Sequence, residues 1–444
     1  MTGWRESESA GKTGVVQRRT PSPGRTDDLD TPARDHAVSP ILRLYPALGN
    51  SHFRLFWLGM LPATLAWQMN VVAAPYAAFS LNGTATVLGF VSLAGGLPML
   101  VLALAGGVVA DRFPRRAVIV GTQSTLCASA ATLAVLSLTG TLQVWHLISV
   151  SAVQGAAVAF NMPARQAYIA EVAWGPLLRN AVALNNAGVN FARIAGPALA
   201  GVLLATPFVG TTGVFMAMAC MYAAVLVSLF RLPARPAPVR GKGASDAWGQ
   251  MLEGLRYLRS SAVLLTLLGM GFIAAILGMP YQTLMTVFAE RVFHAGAGGL
   301  GALMAASGAG AFGGSLTVAA LSRASRPALL QVAFGVGFGL SLVGFALSPS
   351  LPVAVVFLIM VGFLSAAYSA LNNTLIMGNA APSFYGRVMS VYLLTFASMP
   401  LGAMPLAWLS DHISAPTTIA IAGALVAGAV AAVALTQPAY RRIR

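Results

Sequence analysis

Beyond Arg54 the chain is a series of apolar runs, each about twenty residues long, separated by short polar connections. A helix of about twenty residues spans the roughly 30 Å hydrocarbon core of a bilayer and satisfies its own backbone hydrogen bonds there. The sequence therefore predicts an all-α membrane protein. Its twelve transmembrane helices are expected near residues 56–80, 86–110, 117–138, 143–164, 181–205, 211–230, 262–289, 298–321, 328–347, 352–377, 388–409 and 415–436.

Composition excludes the main soluble classes of protein. Hydrophobic residues make up 57% of the 444 residues and charged residues 9%, whereas soluble domains average about 45–50% apolar, glycine included, and about 25% charged. A cytosolic enzyme or a disordered protein needs more polar surface than this chain has. The two cysteines, Cys127 and Cys220, lie within apolar runs, which indicates free thiols and not a disulfide framework.

The placement of the 27 basic residues predicts the topology. If the N-terminus is cytoplasmic, only Arg193, within a predicted helix, and Arg291, in an outer connection, lie outside the tails and the cytoplasmic connections. Because this is the positive-inside distribution, we expect a multi-pass protein of the plasma (inner) membrane with both termini in the cytoplasm. The net charge of +15 is then a topology signal, and no nucleic-acid partner is expected.

The chain divides into two groups of six predicted helices. Weak similarity at an offset of 212 residues places Gly89 on Gly301 and Gly96 on Gly308. Many carriers are built from such repeats, with the substrate site between them near mid-membrane. We therefore expect two six-helix bundles in a 6+6 pseudo-repeat. The predicted segments are a disordered cytoplasmic tail (1–45), an N-terminal bundle (46–230), a cytoplasmic linker with an amphipathic helix (231–260), a C-terminal bundle (261–437) and a basic cytoplasmic tail (438–444).

The connection between the second and third predicted helices carries the sharpest motif, Gly107-Val-Val-Ala-Asp111-Arg112-Phe-Pro-Arg115-Arg116. Gly107 allows a close approach to a neighbouring helix. Asp111 is the only acid among three arginines, so we expect it to be ionised and paired. A carboxylate there could also lie at a helix N-terminus, where it is favoured.

These residues match the loop signature of the major facilitator superfamily, G-x-x-x-D-R-x-x-R-R. Stretches around Met162-Pro-Ala-Arg165, Gly386-Arg387 and Trp408-Leu-Ser-Asp411 narrow the resemblance to the branch that includes enterobactin exporters and macrolide efflux proteins. The resemblance covers about 45–440 of the chain. The sequence departs from the superfamily pattern at two positions. Pro114 stands where the wider superfamily has glycine, and the second-half copy of the motif has Arg323 at the position that corresponds to Asp111.

The resemblance implies a secondary active transporter that exports a small organic molecule, such as a siderophore, a macrolide or another drug or secondary metabolite, by alternating access. It also implies that Asp111 closes the inner gate in the outward-facing state by meeting Gly386 and Arg387. The glycine/proline motif of helix five is represented by Gly196, Pro197 and Gly201. Proton antiport is one candidate coupling, through Asp111, through Glu171 or through an anionic substrate that itself carries the proton.

The fifth predicted helix carries a polar stripe. Arg179, Asn186, Asn190, Arg193 and Pro197 follow at relative positions 0, 7, 11, 14 and 18, which a helix places on one side. An arginine at mid-bilayer is costly and should face water or a partner. Because no acid lies inside any predicted helix, an anionic substrate group could supply the counter-charge. The alternative is a structural strut bonded to helix-end carbonyls and asparagines.

Polar side chains on the other helices predict a polar-lined pathway. Isolated polar residues can also be interhelical hydrogen bonds, so both interpretations stay open. The remaining cavity or substrate-binding candidates are Gln68, Asn70, Gln154, Asn161, Arg165, Tyr281, Gln282, Tyr368, Asn372, Asn373 and Tyr392.

No catalytic or cofactor-binding pattern appears in the sequence. The five histidines are dispersed, and the phosphate-binding pattern G-x-x-x-x-G-K-[ST] does not occur. We expect no enzyme activity, no metal and no cofactor, and a monomer whose partners are the lipid bilayer, its small-molecule substrate and protons. Two alternatives remain: an importer of a nutrient or lipid-like solute, and a non-transporting membrane sensor on the same fold.

Overall fold

The computed structural model describes residues 45–173, 175, 177–233, 256–321, 326–381 and 384–437. The tail expected at 1–45, most of the linker with its amphipathic helix, and the tail at 438–444 lie outside these residues, apart from Tyr45. Nearly all of the described residues are helical.

The first half of the chain forms long helices that begin after a short 3₁₀ turn at Pro46–Gly49. Asn50 caps the first helix because its side chain accepts hydrogen bonds from the amides of His52 and Phe53. Gly83 ends this helix at φ 76°, a left-handed conformation that suits glycine. The helices are α1 (Ser51–Asn82), α2 (Ala85–Arg112), α3 (Arg115–Leu138), α4 (Val144–Val172), α5 (Leu177–Ala205) and α6 (Gly210–Phe230).

The second half contains two irregular spans. One helix includes two π-helical stretches, and another span is divided into two consecutive helices. The π-helical stretches are Ala274–Gly278 and Phe288–Val292, both within α7. The interruption falls at Ser398, where Pro400 has no amide to donate to the preceding turn. The helices are α7 (Ala262–Val292), α8 (Gly296–Ala320), α9 (Pro327–Ala346), α10 (Leu351–Asn379), α11 (Tyr385–Ala397), α12 (Met399–Ile413) and α13 (Ala415–Thr436).

Ten helices in the described part of the chain are long and apolar enough to cross a bilayer. They confirm an all-α membrane protein with many spans. The count of twelve spans stays a prediction, because α8 and the interrupted pair α11–α12 are not among the ten.

Small residues bring the helices together. Within the first half α2 packs on α4, and within the second half α8 packs on α10. A Cβ at Gly155 would lie 1.9 Å from the Gly95 carbonyl oxygen, and one at Gly310 would lie 2.0 Å from that of Ile359. Backbones can approach this closely only where no side chain intervenes. The two halves meet where α5 packs on α8 and where α2 packs on α12.

Several helices extend beyond their predicted ends. The fourth helix is predicted over 143–164, just short of the candidate Arg165, but α4 continues to Val172 and includes Arg165. The helix continues because residues 165–172 keep an apolar face toward the core, with Tyr168 and Ile169 both buried.

The two ends of the helices form two faces. We call the end that carries Arg112, Arg115, Arg116, Arg231 and Arg326 the arginine-rich face, and the end that carries Gly83, Arg291 and Asp411 the Asp411 face.

Candidate functional site

A cavity of about 300 Å³ lies between the two halves of the chain. Its volume is at the lower end of the range for small-molecule sites. The walls are mostly apolar, and no charged side chain is among the described lining residues. They are Trp67, Asn70, Val71, Ala74 and Pro75 of α1, Val91, Ser92, Gly95, Gly96 and Met99 of α2, Ser151 and Gln154 of α4, Gln282 and Thr283 of α7, Ala397 of α11, and Met399 and Pro400 of α12.

Carboxamide groups provide most of the hydrogen-bonding capacity of this cavity. Asn70 Nδ2 donates to Gln154 Oε1 at 2.9 Å, which joins α1 to α4. Asn70 Oδ1 is buried without a partner among the described residues. Gln282 adds a third carboxamide from α7 in the other half. Three of the predicted pathway residues thus line one cavity.

Two other predicted pathway residues bond inside the first half instead. Asn161 is buried and its Nδ2 donates to Thr122 Oγ1 at 2.7 Å. Arg165 donates from Nη1 to Thr64 Oγ1 at 3.2 Å and from Nη2 to Asn185 Oδ1 at 2.9 Å. These side chains hold α1, α3, α4 and α5 together, and neither lines the cavity.

Arg193 faces the inside of the molecule from the middle of α5. Its side chain is exposed, yet it lies close enough to the Tyr281 hydroxyl for an electrostatic interaction. Phe191 and Val202, which are 58% and 65% exposed, lie about 160° and 180° around the helix from it and mark the lipid-facing side. Among the described residues no hydrogen bond or ion pair reaches its guanidinium. The interpretation of Arg193 as a structural strut requires bonds of this kind to helix-end carbonyls or asparagines.

Other polar residues lie near Arg193, on α5 and on α7. Asn186 is exposed and Asn190 partly exposed on the same side of α5. Tyr281 is buried, and its hydroxyl lies 2.7 Å from Ser307 Oγ. Arg179 is exposed at the start of the helix, at the arginine-rich face.

The helix-five motif fits tightly against its neighbours. A Cβ at Gly196 would lie 2.5 Å from Gln68 Cβ of α1, so Gln68 packs against α5 and does not line the cavity. A Cβ at Gly201 would lie 2.6 Å from Gly301 Cα of α8. Pro197 is buried between these two contacts. The motif therefore permits close packing of α5 on both halves.

The polar residues of the second half form a separate cluster. Gln331 Nε2 donates to Asn372 Oδ1 at 2.8 Å, and the Tyr392 hydroxyl donates to the Ser369 carbonyl at 3.4 Å. Asn372, Ser369 and Tyr392 line a small cavity of about 20 Å³. This volume holds about one water molecule, so the cluster is a packing element and not a substrate chamber.

Tyr368 and Asn373 complete the predicted set on α10. The Tyr368 hydroxyl donates to the Met270 carbonyl at 2.9 Å, close to the π-helical stretch Ala274–Gly278 that interrupts the regular bonding of α7. Asn373 is exposed and lines neither cavity.

The loop motif is built on arginine contacts at the arginine-rich face. Arg115 forms an ion pair with Glu171 at 3.2 Å, and Arg116 Nε donates to the Leu229 carbonyl at 2.9 Å at the end of α6. Arg112 is exposed, and a Cβ at Gly107 would have nothing within 4 Å.

Among the described residues, Asp111 makes no hydrogen bond or ion pair with α11 or with any other helix. Its side chain is exposed. Gly386 lies in the first turn of α11. The guanidinium of Arg387 lies 5.1 Å from the centre of the Phe384 ring.

The Asp411 face is held closed by contacts between the halves. Asp411 Oδ1 accepts from the Ala85 amide at 2.8 Å, and Oδ2 accepts from the Thr86 amide at 2.7 Å and from Thr86 Oγ1 at 2.6 Å. Arg291 donates to the Gly83 carbonyl and lies 5.1 Å from the Phe79 ring centre. Asp411 lies beyond the predicted span 388–409. Burial by itself raises its pKa, but the hydrogen bonds from Thr86 and Ala85, together with the nearby charge of Arg291, lower the pKa by more, so the group stays ionised.

Hydrogen bonds between the two halves occur only at the Asp411 face, as far as the described residues go. Close contacts at Gly201 and Gly301, and at Gly96 and Pro400, support the same closure. The cavity is therefore closed toward the Asp411 face, and no described hydrogen bond closes it toward the arginine-rich face.

A family model described as transmembrane secretion effector matches residues 44–442. The chain belongs to this family. Transmembrane secretion effectors are transporters of the major facilitator superfamily and not enzymes. The resemblance drawn from the loop motif is thus confirmed.

Characterised relatives of this transmembrane secretion effector are efflux proteins. It is 27% identical to the multidrug efflux pump Tap of Mycolicibacterium fortuitum, over 77% of this chain and 85% of the relative. It is 22% identical to macrolide efflux protein A of Streptococcus pyogenes, over 88% and 96%. It is 26% identical to the enterobactin exporter EntS of Citrobacter koseri, over 79% and 82%. The protein is therefore a secondary transporter of the export type.

Solved structures show the same fold. A peptide transporter POT aligns with a TM-score of 0.72 at 12% identity, over 88% of this chain and 95% of that chain. A D-xylose–proton symporter aligns with a TM-score of 0.67 at 14% identity, over 86% and 97%.

Sequence reasoning missed several residues of this transporter's cavity and gate. Trp67, Ser92, Ser151 and Thr283 line the cavity. A tryptophan or a small hydroxyl inside an apolar run carries no signal that distinguishes a cavity wall from helix packing. Asp411 lies just past a predicted helix end, where a lone acid could have indicated a cap.

Proposed function

We propose that this transporter exports a small organic molecule from the cytoplasm by alternating access between two six-helix bundles, 46–230 and 261–437. The pairings support a 6+6 repeat of twelve spans: α2 on α4 corresponds to α8 on α10, and α3 on α6 corresponds to α9 on α13. The cavity between the bundles, closed toward one face, carries the proposal.

The arginine-rich face is the cytoplasmic face in this proposal. The positive-inside rule supports this orientation in the plasma membrane, with both termini in the cytoplasm. In the same proposal one chain forms the complete pathway, because both halves that enclose the cavity belong to it. The conformation closed at the Asp411 face is then inward-facing, the state in which an exporter takes up its cargo.

The cavity favours an uncharged, amphiphilic portion of the substrate. Trp67, Met99 and Met399 offer apolar contact area, and the carboxamides of Gln154 and Gln282 offer oriented hydrogen bonds from both bundles. Macrolides and siderophores such as enterobactin, the classes named in the relatives, combine large apolar surfaces with hydrogen-bonding groups.

Arg193 is proposed to meet an anionic substrate group. It is exposed inside the molecule, close to the buried Tyr281, and has no ionic partner among the described residues. A positive charge held in this position attracts anions more strongly than it would in water. Arg193 would then make the transporter selective for anionic over neutral substrates.

Protons are the proposed coupling ion. No described Asp or Glu lines the cavity, so the proton would bind elsewhere or travel on an anionic substrate. Asp111 and Glu171 are the candidate acids at the cytoplasmic face. Asp111 has no ionic partner among the described residues, whereas Glu171 pairs with Arg115 at 3.2 Å.

The test is transport in inside-out proteoliposomes with an imposed pH gradient, acid inside. We expect accumulation of a labelled macrolide or of enterobactin, lost when the gradient is collapsed. Accumulation that persists without the gradient would contradict proton antiport. Net movement only in the opposite direction would indicate an importer, and no movement of either probe would favour the sensor interpretation.

A further inference from the structure

The N-terminus of α2 is capped from the other half of the chain. Thr84 stands at the N-cap position but makes no capping bond, so the first amides of α2 need another acceptor. Asp411, at the end of α12, accepts from both Ala85 and Thr86. A carboxylate in this place gains charge-assisted hydrogen bonds and a favourable interaction with the helix dipole.

A cation from the same half makes the complementary contact. Arg291, at the end of α7, donates to the carbonyl of Gly83, where α1 ends. The C-terminus of a helix favours a positive charge as its N-terminus favours a negative one. The second half thus places Asp411 on the start of α2 and Arg291 on the end of α1, and both contacts break if the halves separate at this face.

The other end of α2 carries a second, unused carboxylate. The α11–α12 pair runs antiparallel to α2 and packs along it, so the C-terminal end of α2 points toward the start of α11. Asp111 is the next-to-last residue of α2, and Asp411 is two residues from the end of α12. Each helix therefore carries a carboxylate in its last turn, at the end where its partner begins. Here Asp411 is bound, whereas Asp111 is exposed without a partner among the described residues.

We propose that Asp411 is the positioning residue that holds the transporter closed at the Asp411 face, as the outer counterpart of the inner latch that the family resemblance implies for Asp111, and that the two caps form in alternate states of the transport cycle. The two halves rock as rigid bodies about the central cavity. When α2 approaches the α11–α12 pair at one face of the membrane, the same helices separate at the other face. Only one carboxylate can then cap its target helix at a time. This inference rests on the proposed alternating access.

The test measures the accessibility of a reporter cysteine. In a background with Cys127→Ser and Cys220→Ser, Ser92→Cys on the cavity wall is labelled with a membrane-impermeant maleimide, in intact cells and in inside-out vesicles. We expect Asp411→Ala to raise the labelling rate from the Asp411 face about tenfold, the change that about 1.4 kcal/mol produces, and to lower it from the opposite face. Asp111→Ala should give the opposite shifts.

Three further variants separate gating from damage to the fold. Asp411→Glu should restore labelling toward the parent, and the double variant Asp111→Ala/Asp411→Ala should give intermediate rates. His412→Ala is the matched control, because the His412 ring bonds only to the Trp408 carbonyl within α12, among the described residues, and should leave both rates unchanged.

Several results would overturn the inference. Equal labelling of parent and Asp411→Ala, with unchanged melting temperatures, would remove the gating role of Asp411. Shifts in the same direction for Asp111→Ala and Asp411→Ala would disprove alternation. If Asp411→Ala fails to fold, Asp411→Asn replaces it, and unchanged rates there count against the proposal. The expected shifts without transport of any probe would uphold the alternating caps and reject only the proposed export.

Discussion

The glycine contact between α5 and α8 should set the balance between the two states of the transporter. A Cβ added at Gly301 would lie 2.7 Å from Gly201 Cα and 3.2 Å from the Pro197 carbonyl oxygen. Ordinary contact begins at 3.4 Å, so Gly301→Ala must move the helices apart by about 0.7 Å, the difference between 3.4 and 2.7 Å. Overpacking of this kind costs about 1–3 kcal/mol. Because the clash exists only where α5 and α8 touch, the cost falls on the state closed at the Asp411 face.

The expected result is a 5- to 150-fold shift of the conformational equilibrium toward opening at the Asp411 face, since about 1.4 kcal/mol corresponds to a factor of ten. The assay is maleimide labelling of the Ser92→Cys reporter in intact cells. Gly298→Ala is the matched control one turn away, because its Cβ would lie 3.7 Å from Ala205 Cβ, an ordinary contact. Both substitutions gain the same helix propensity. Equal labelling of the two variants would refute the argument.

Four further substitutions test the division between cavity and scaffold. Gln154→Leu should lower export at least tenfold with little change in melting temperature, because its partner Asn70 also lines the cavity. Asn161→Leu, which removes the buried hydrogen bond from Asn161 Nδ2 to Thr122 Oγ1 between α4 and α3, should lower the melting temperature and spare export; the reverse pattern would disprove the assignment. Arg193→Ala should weaken export of anionic solutes about tenfold more than that of neutral ones, and an equal loss in paired efflux assays would return Arg193 to a structural role. Arg165→Leu removes the bonds to Thr64 and Asn185. Thr64 keeps its bond to the Met60 carbonyl, so the substitution leaves the buried Asn185 Oδ1 without a described partner and should cost about 1–3 kcal/mol, read as lower thermal stability in detergent; an unchanged melting temperature would contradict it.

The candidate site was only partly predictable from the sequence. Gln154 and Asn161 are seven residues apart and lie on one stripe of α4, so they predict the same role. In the structure Gln154 lines the cavity and bonds to Asn70, whereas Asn161 turns toward Thr122 of α3. Helical spacing predicts on which side of α4 a side chain lies. Which helix it contacts there depends on how the other helices cross α4 at that depth in the membrane.

Hydropathy and charge are properties of single residues along the chain, so the all-helical membrane class, the arginine-rich face and its loop motif follow from the order of the residues. Contacts between residues hundreds of positions apart depend on how the helices pack. That packing places Asp411 at the start of α2, turns Arg193 inward without a described ionic partner, and brings three carboxamides from two halves to one cavity.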